Sequence, residues 1–346
     1  MSSPSFAEVK RGGESGPLRV ALLGSTGSIG RQTVDVLEAH ADAFRVTALA
    51  TGSNASLLSE QAARFRPAAV ALADESAPSA LDLPNGTERV GGADALETLA
   101  TRDDVDLVIV ATGGVVSLRP VLAALRAGKI VATANKETLV TGGHLVMPLA
   151  HKLAAASAAS DPDGPYANAL AWLRPIDSEH SAIWQCLVGE DMSSVASLVL
   201  TASGGPFLDA TAEEIAGVTP SEALRHPTWT MGAKITIDSA TLANKGLELI
   251  EAHFLFDIPY ERIEVVLQPT SIVHSLVRFR DGAALAHLGY PDMRAPISYA
   301  LTYPERAATP LEPLDLTSLT LEFHDPDLET FPMLTLAREA GEKGGT

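Results

Sequence analysis

Asp177-Ser178-Glu179 follows the short segment 173–176, in which Pro175 favours extended backbone ahead of it. In extended backbone, side chains two residues apart share one face, so the two carboxylates converge. They repel unless a proton or a cation lies between them. Glu248 adds a third carboxylate far along the chain, one helical turn after Lys245. Three oxygen ligands without a cysteine suit Mg²⁺ or Mn²⁺ in octahedral geometry. A solvated acidic face is the plainer alternative in a chain with 43 acidic residues. His180 invites a zinc reading, but a histidine at a helix start more often caps the helix or supports a ligand.

Anion ligands lie nearby in the sequence. Ser203-Gly204-Gly205 closes a strand pattern and frees backbone N–H groups, while Ser239, Asn244 and Lys245 stand near a helix start. A hydroxyl, an amide and an ammonium suit a phosphate monoester; ordinary capping with a solvated lysine is the alternative. The loop 226–232 (HPTWTMG) carries an indole and a thioether between turn residues. It reads either as a lid that lays Trp229 over a ligand or as loop residues packed into the core.

A third group of residues concerns a nucleotide. The apolar run 18–24 leads into Ser25-Thr26-Gly27-Ser28-Ile29-Gly30 and then a helical pattern. Strand, glycine-rich turn and helix form the setting of a dinucleotide loop, where glycines admit the pyrophosphate and the helix N-terminus attracts it. The spacing is G-x-x-G-x-x-G, so a plain tight turn is the alternative. No acid occurs from Phe44 to Ser59, where an NAD enzyme holds the ribose 2′-OH. Thr51-Gly52-Ser53-Asn54 instead leave room for a 2′-phosphate, which favours NADP over NAD.

These residues need elements to position them. Strands are expected over 18–24, 44–50, 68–73, 105–111 and 129–134, with helices over 31–40 and 120–127 between them. Strands apolar on both faces alternating with helices specify a parallel sheet covered by helices. The Ala/Ser-rich stretch 151–165 reads as a linker or surface insertion. A second α/β unit follows, with strands over 195–201, 263–267, 272–279 and 283–288, a capping box at Thr211–Glu214, a long helix over 240–256 and a hairpin turn at Asp281-Gly282. The Pro- and acid-rich stretch 304–316 reads as an extended connector, and a last helix begins near Phe331. The 346 residues thus divide into a leader (1–16), a Rossmann-like domain (17–150), the linker (151–165), a second α/β domain (166–303) and the start of a C-terminal region (304–346).

Composition narrows the class. Apolar residues make up 46% and the net charge is −18, so the chain is globular and its surface repels nucleic acid and anionic lipid. Cys186 is the only cysteine, which excludes an internal disulfide and suits a reducing compartment. No run is long enough to span a membrane, and a cytoplasmic location is expected.

Taken in order, GSTGSIG (24–30), ANKE (134–137), DSEH (177–180), ASGGPF (202–207), HPTWTMG (226–232), IDSATLANKGLE (237–248) and QPTSIVH (268–274) resemble the 1-deoxy-D-xylulose 5-phosphate reductoisomerase family, from about Val20 to Ala340. That resemblance implies rearrangement of 1-deoxy-D-xylulose 5-phosphate by retro-aldol cleavage and re-addition, then reduction by NADPH to 2-C-methyl-D-erythritol 4-phosphate, a step of the non-mevalonate isoprenoid pathway. It implies Asp177, Glu179 and Glu248 as ligands of Mg²⁺ or Mn²⁺, with Co²⁺ a further option. Ser203, Ser239, Asn244 and Lys245 would hold the substrate phosphate. Lys136, Ser178 and His226 would approach the reacting atoms, with Lys136, Glu179, His226 and Glu248 catalytic, and Trp229 would cover the substrate. Thr26, Gly27, Ser28, Ile29, Gly52, Ser53, Asn54, Asn135, Glu137 and Gly232 would line the NADPH site. A homodimer is expected.

The chain departs from the family pattern in three places. Ser53 stands where many members have Lys or Arg, which removes a charge partner of the 2′-phosphate. The stretch 151–165 is longer than usual. The family carries a C-terminal helical domain after the Pro-rich connector, and the chain ends where that domain should begin. Two expectations follow: residues 325–346 should be poorly ordered, and a non-catalytic NADPH-binding remnant stands as the alternative to an active enzyme.

Overall fold

The computed structural model describes residues 16–74, 81–229 and 232–345. The expected leader lies outside these apart from Gly16. The described residues fall into two compact units.

The first unit is a parallel sheet with helices between its strands. Its elements are β1 (Leu18–Leu23), α1 (Ser28–Ala39), β2 (Phe44–Thr51), α2 (Ala55–Phe65), β3 (Ala69–Leu72), β4 (Glu88–Val90), α3 (Ala95–Ala100), β5 (Leu107–Val110), α4 (Leu118–Arg126), β6 (Ile130–Thr133), α5 (Lys136–Ala158) and β7 (Leu173–Pro175). The strand order is β4-β3-β2-β1-β5-β6-β7, and every pair is parallel. β3, β5 and β6 are buried along their whole length. That burial explains why they read as continuous apolar runs.

Three boundaries differ from the sequence reading, two in this stretch of the chain and one at residue 293. Residues 151–158, expected in a linker, are the last two turns of α5. Alanine is the strongest helix former, and Val146, Ala150 and Ala154 make a buried stripe at a spacing of four. Small residues there mark close packing of a helix, which composition alone presents as a flexible stretch. Residues 166–176 also belong to the first unit, because β7 pairs with β6 at its edge. The unit boundary therefore falls after Ile176.

The second unit contains α6 (Ser178–Leu187), β8 (Val195–Ala202), α7 (Ala212–Ile215), α8 (Pro220–Ala223), α9 (Ala233–Ala240), α10 (Ala243–Phe256), β9 (Ile263–Leu267), β10 (Val273–Phe279) and β11 (Ala284–Leu288). Its sheet runs β11-β10-β8-β9, with β8 and β9 parallel and the other pairs antiparallel. The Thr211–Glu214 capping box and the turn at Asp281-Gly282, where Gly282 has φ +90°, form as expected. The single helix expected over 240–256 is two helices. Leu242 adopts a left-handed conformation (φ +59°) between them. A leucine there costs roughly 1–2 kcal/mol, which burial of its side chain offsets.

The chain returns to the first unit with α11 (Arg294–Thr302), which packs on α1 and β7. Buried Arg174 of β7 fixes it by donating to the Ala171 and Ala300 carbonyls at 2.8 and 2.7 Å. Residues 293–303 were expected in the second α/β domain; their helix instead covers the first sheet.

The chain ends in the second unit with α12 (Met333–Lys343). The tail was expected to be poorly ordered, but Phe331 and Leu334 are buried. Ala337 packs on Gly246 of α10, where an added Cβ would lie 2.6 Å from it. Arg338 donates to the Tyr260 carbonyl and, at 2.7 Å, to that of Ile263. A helix of this length is marginal alone, and tertiary packing decides its fate. No described helix is long and apolar enough to cross a membrane.

Candidate active site

In the first unit, the turn after β1 is built by backbone. Gly24 (φ +89°) lies so close to the Ala111 peptide that an added Cβ would come within 2.6 Å. A Cβ on Gly30 would collide with the Gly24 carbonyl. The turn thus ends at the N-terminus of α1, with Thr26, Gly27, Ser28 and Ile29 around it, beside the carboxyl ends of β1 and β5. In open α/β sheets this reversal of strand order is where ligands bind. Thr26 and Thr51 share a hydrogen bond between their hydroxyls, which ties the turn to the end of β2. Gly52, Ser53 and Asn54 follow β2 and are exposed, and Asn54 caps α2 through the Leu57 amide at 3.1 Å.

Asn135 sits at the end of β6, but its side chain is buried and engaged. It accepts from the Thr138 amide at 2.8 Å and donates to the Thr112 and Gly114 carbonyls, both at 2.8 Å. Asn135 therefore shapes the floor of this region by clamping the loop after β5. Lys136, buried, and Glu137, half-buried, open α5.

In the second unit, oxygen atoms of Asp177, Glu179 and Glu248 lie within 4.8 Å of one another. The convergence expected from extended backbone arises differently. Asp177 is the N-cap of α6, and its Oδ1 accepts from the Glu179 and His180 amides at 3.1 and 3.4 Å. Glu179 lies in the first helical turn, and α10 brings Glu248 to it. Burial and the Glu248 charge push the Glu179 carboxyl up to about 7. Three carboxylates held together against repulsion are a donor set that fits a hard divalent cation.

Lys245 was grouped with the phosphate ligands. Its Nζ instead lies 2.9 Å from Glu179 Oε1 and donates to Glu248. Burial opposes the charge of the ammonium, but Glu179, Glu248 and Asp177 outweigh that penalty and raise its pKa. Ser178 donates to Glu179, and Asn244 to Glu248.

A second group surrounds Ser203. Gly205 (φ +69°) lies against the Ser239 carbonyl, where an added Cβ would approach within 2.9 Å. This closeness brings the Ser203 turn to the C-terminal end of α9. Ser203 Oγ is 3.0 Å from His226 Nε2 and accepts from the Gly205 amide at 3.2 Å. His226 Nδ1 accepts the Thr228 and Trp229 amides at 3.1 and 2.9 Å. Nδ1 is thereby unprotonated, so Nε2 carries the hydrogen and donates it to Ser203. Burial lowers the pKa of His226, which agrees with that neutral tautomer. Trp229 donates to Ser271 Oγ at 3.4 Å, while Thr230 and Met231 of this loop lie outside the described residues. Gly232 caps α9 with open space around it.

Family models match three stretches of the chain. That of 1-deoxy-D-xylulose 5-phosphate reductoisomerase covers residues 20–143, that of its C-terminal domain 173–256, and that of the DXP reductoisomerase C-terminal domain 288–346. The curated 1-deoxy-D-xylulose 5-phosphate reductoisomerase of Thermomicrobium roseum is 51% identical over 331 residues, 95% of this chain and 81% of that protein. The chain belongs to the 1-deoxy-D-xylulose 5-phosphate reductoisomerase family.

A second reductoisomerase, from Pelotomaculum thermopropionicum, is 50% identical over 332 residues, 94% of this chain and 82% of that protein. Solved reductoisomerase structures match the fold as well. One in complex with NADPH, fosmidomycin and magnesium has a TM-score of 0.83 at 39% identity, covering 94% of this chain and 80% of that one. The reductoisomerase of Zymomonas mobilis in complex with NADPH has a TM-score of 0.82 at 40% identity, covering 96% and 82%. Asp177, His180 and Glu251 form a second group whose polar atoms lie within 4.8 Å of one another, and the sequence reading leaves Glu251 out. Its spacing of three from Glu248 on a helix is the signal available, because residues three apart are neighbours on a helix surface.

Proposed function

We propose that this chain converts 1-deoxy-D-xylulose 5-phosphate to 2-C-methyl-D-erythritol 4-phosphate, in the non-mevalonate route to isoprenoids, with NADPH and Mg²⁺ or Mn²⁺. The observation that carries the reading is the convergence of Asp177, Glu179 and Glu248. Related structures that hold NADPH and magnesium support it. When bound, the ion polarises a carbonyl and the nicotinamide supplies hydride.

The chain's own groups do the rest. Asp177, Glu179 and Glu248 hold the ion. Ser203, Ser239 and Asn244 offer hydroxyls and an amide to the phosphate, and the Lys245 ammonium, next to Asn244 in the chain, balances charge between phosphate and carboxylates. His226 keeps the Ser203 hydroxyl oriented through its Nε2 hydrogen and pins the Trp229 amide. The indole, whose N–H donates to Ser271 Oγ, covers the substrate and excludes water in the role the family motif implies. Ser178 and Lys136 act near the reacting atoms, as the family motif implies. Thr26, Ser28 and Ile29 hold the pyrophosphate with backbone N–H groups, Gly27 shapes the turn by donating to the Gly24 carbonyl at 3.1 Å, and Gly52, Ser53 and Asn54 receive the 2′-phosphate. Asn135 and Glu137 complete the cofactor site of the first unit.

The test is NADPH consumption on adding substrate and Mn²⁺ together. Turnover that needs both, and that Glu248→Gln abolishes while NADPH still binds, is the expected result. NADPH binding without turnover under every metal tried would overturn the reading and leave a nucleotide-binding remnant.

A further inference from the structure

Glu251 is buried on α10, one turn beyond Glu248, and none of the steps above uses it. Its Oε2 lies 3.3 Å from His180 Nδ1. That imidazole is fully buried and stacks on Phe256, with ring centroids 6.3 Å apart. Its Nδ1 is also 3.1 Å from Asp177 Oδ1, and its Nε2 is 2.9 Å from the backbone carbonyl of Glu248. One ring therefore touches the side chain of one ion ligand and the main chain of another, which sit on different helices. Every atom that these contacts place against its nitrogens is an acceptor.

We propose that Glu251 is a positioning residue. It fixes the rotation of the His180 ring, and the ring in turn sets the Asp177 carboxylate and ties the N-terminus of α6 to the Glu248 turn of α10. Asp177 Oδ1 meets the Glu179 amide, the His180 amide and the His180 ring. These contacts hold the carboxylate in one rotation, which aims its other oxygen. The ion's ligands are thus preset before the ion arrives, and outer partners of this kind are worth about 10–100-fold in metal affinity. The proposal rests on the metal reading given under Proposed function.

The experiment is calorimetric titration of the whole chain with Mn²⁺ in the absence of substrate, for the wild type, Glu248→Gln, Glu251→Gln, Glu251→Asp, His180→Gln and the Glu251→Gln/His180→Gln double variant. NADPH binding and the melting temperature report folding. Glu251→Gln is expected to weaken Mn²⁺ binding about 10–100-fold with NADPH affinity unchanged. Saturating Mn²⁺ should restore most of its kcat, a split that a general loss of structure would not give. The double variant should lose little more than His180→Gln alone, because Glu251 acts through that ring. Should Glu251→Gln fail to fold, Glu251→Asp is read in the same way. Mn²⁺ binding by Glu251→Gln within about twofold of wild type, or losses that add fully in the double variant, overturn the proposal. If the wild type itself binds no Mn²⁺, or Glu248→Gln binds it as well as wild type, the metal reading fails instead.

Discussion

The ammonium of Lys245 lies 2.9 Å from Glu179 Oε1 and also donates to Glu248, so a fixed cation occupies the middle of the carboxylate cluster. A divalent ion must share these oxygens with it. Lys245→Gln should therefore bind Mn²⁺ about tenfold more tightly than wild type in the absence of substrate, because like charges near 4 Å oppose each other by several kcal/mol in a medium of dielectric constant about 20. The same variant should lose affinity for the phosphorylated substrate. Paired Mn²⁺ and substrate titrations check both directions, and weaker Mn²⁺ binding by the variant would refute the prediction.

Proton competition at Glu179 predicts the pH dependence. Its carboxyl is pushed up to about 7 by burial and by Glu248. Below that pH the group is protonated and must release a proton to bind a cation. Mn²⁺ affinity should climb up to about tenfold per pH unit below pH 7 and level off above it. Stability of the metal-free chain should move the other way. Between the ordinary carboxylate value of 4.5 and about 7 the folded state keeps a proton that the unfolded chain loses, so rising pH destabilises it. Calorimetry and thermal melting across this range report the two trends.

Cofactor choice should respond to one exposed position. Ser53 follows β2 where a cation would meet a 2′-phosphate. Ser53→Arg adds a charge-assisted hydrogen bond of roughly 1.5–3 kcal/mol. The ratio of kcat/KM for NADPH over NADH should rise by about tenfold or more, with thermal stability unchanged. An unaltered ratio would mean that the 2′-phosphate is bound elsewhere.

Docking of α12 on α10 is testable without substrate. Leu334 is 4% exposed in that contact. Leu334→Ala should destabilise the second unit by about 2–5 kcal/mol. Amides of Met333–Lys343 should show slow hydrogen exchange in the wild type and fast exchange in the variant. Fast exchange in the wild type would contradict the packing of Ala337 on Gly246.

The sequence made some features plain and concealed others for identifiable reasons. β1, β2, β5 and β6 are continuous apolar runs because helices cover both faces, and their period is local information. The turn at Gly24–Gly30 is legible too: Gly30 answers to the Gly24 carbonyl a few residues away, whereas the close approach of Gly24 to Ala111 is set by the loop after β5. The course of 151–158 was hidden because a helix of small residues packing closely resembles a flexible stretch in composition. The break at Leu242 was hidden because a leucine continues a helical pattern, and burial from elsewhere in the unit forces it left-handed. Asp177, Glu179 and Glu248 were legible as a set, but the cap geometry that joins them was not. Nothing in the order Asn244-Lys245 tells that both turn to carboxylates, or that Lys245 also reaches Glu179, because that depends on α6 arriving beside α10.

Asn244 and Glu248 stand one turn apart on α10, and their side chains hydrogen-bond. The amide offered to a phosphate is thus already engaged with a carboxylate offered to the ion. On the reading proposed above, a cation that draws on Glu248 competes with that bond and releases the Asn244 N–H. Filling one end of the site then readies the other, so the pair works as an interlock between ion and phosphate inside one helical turn.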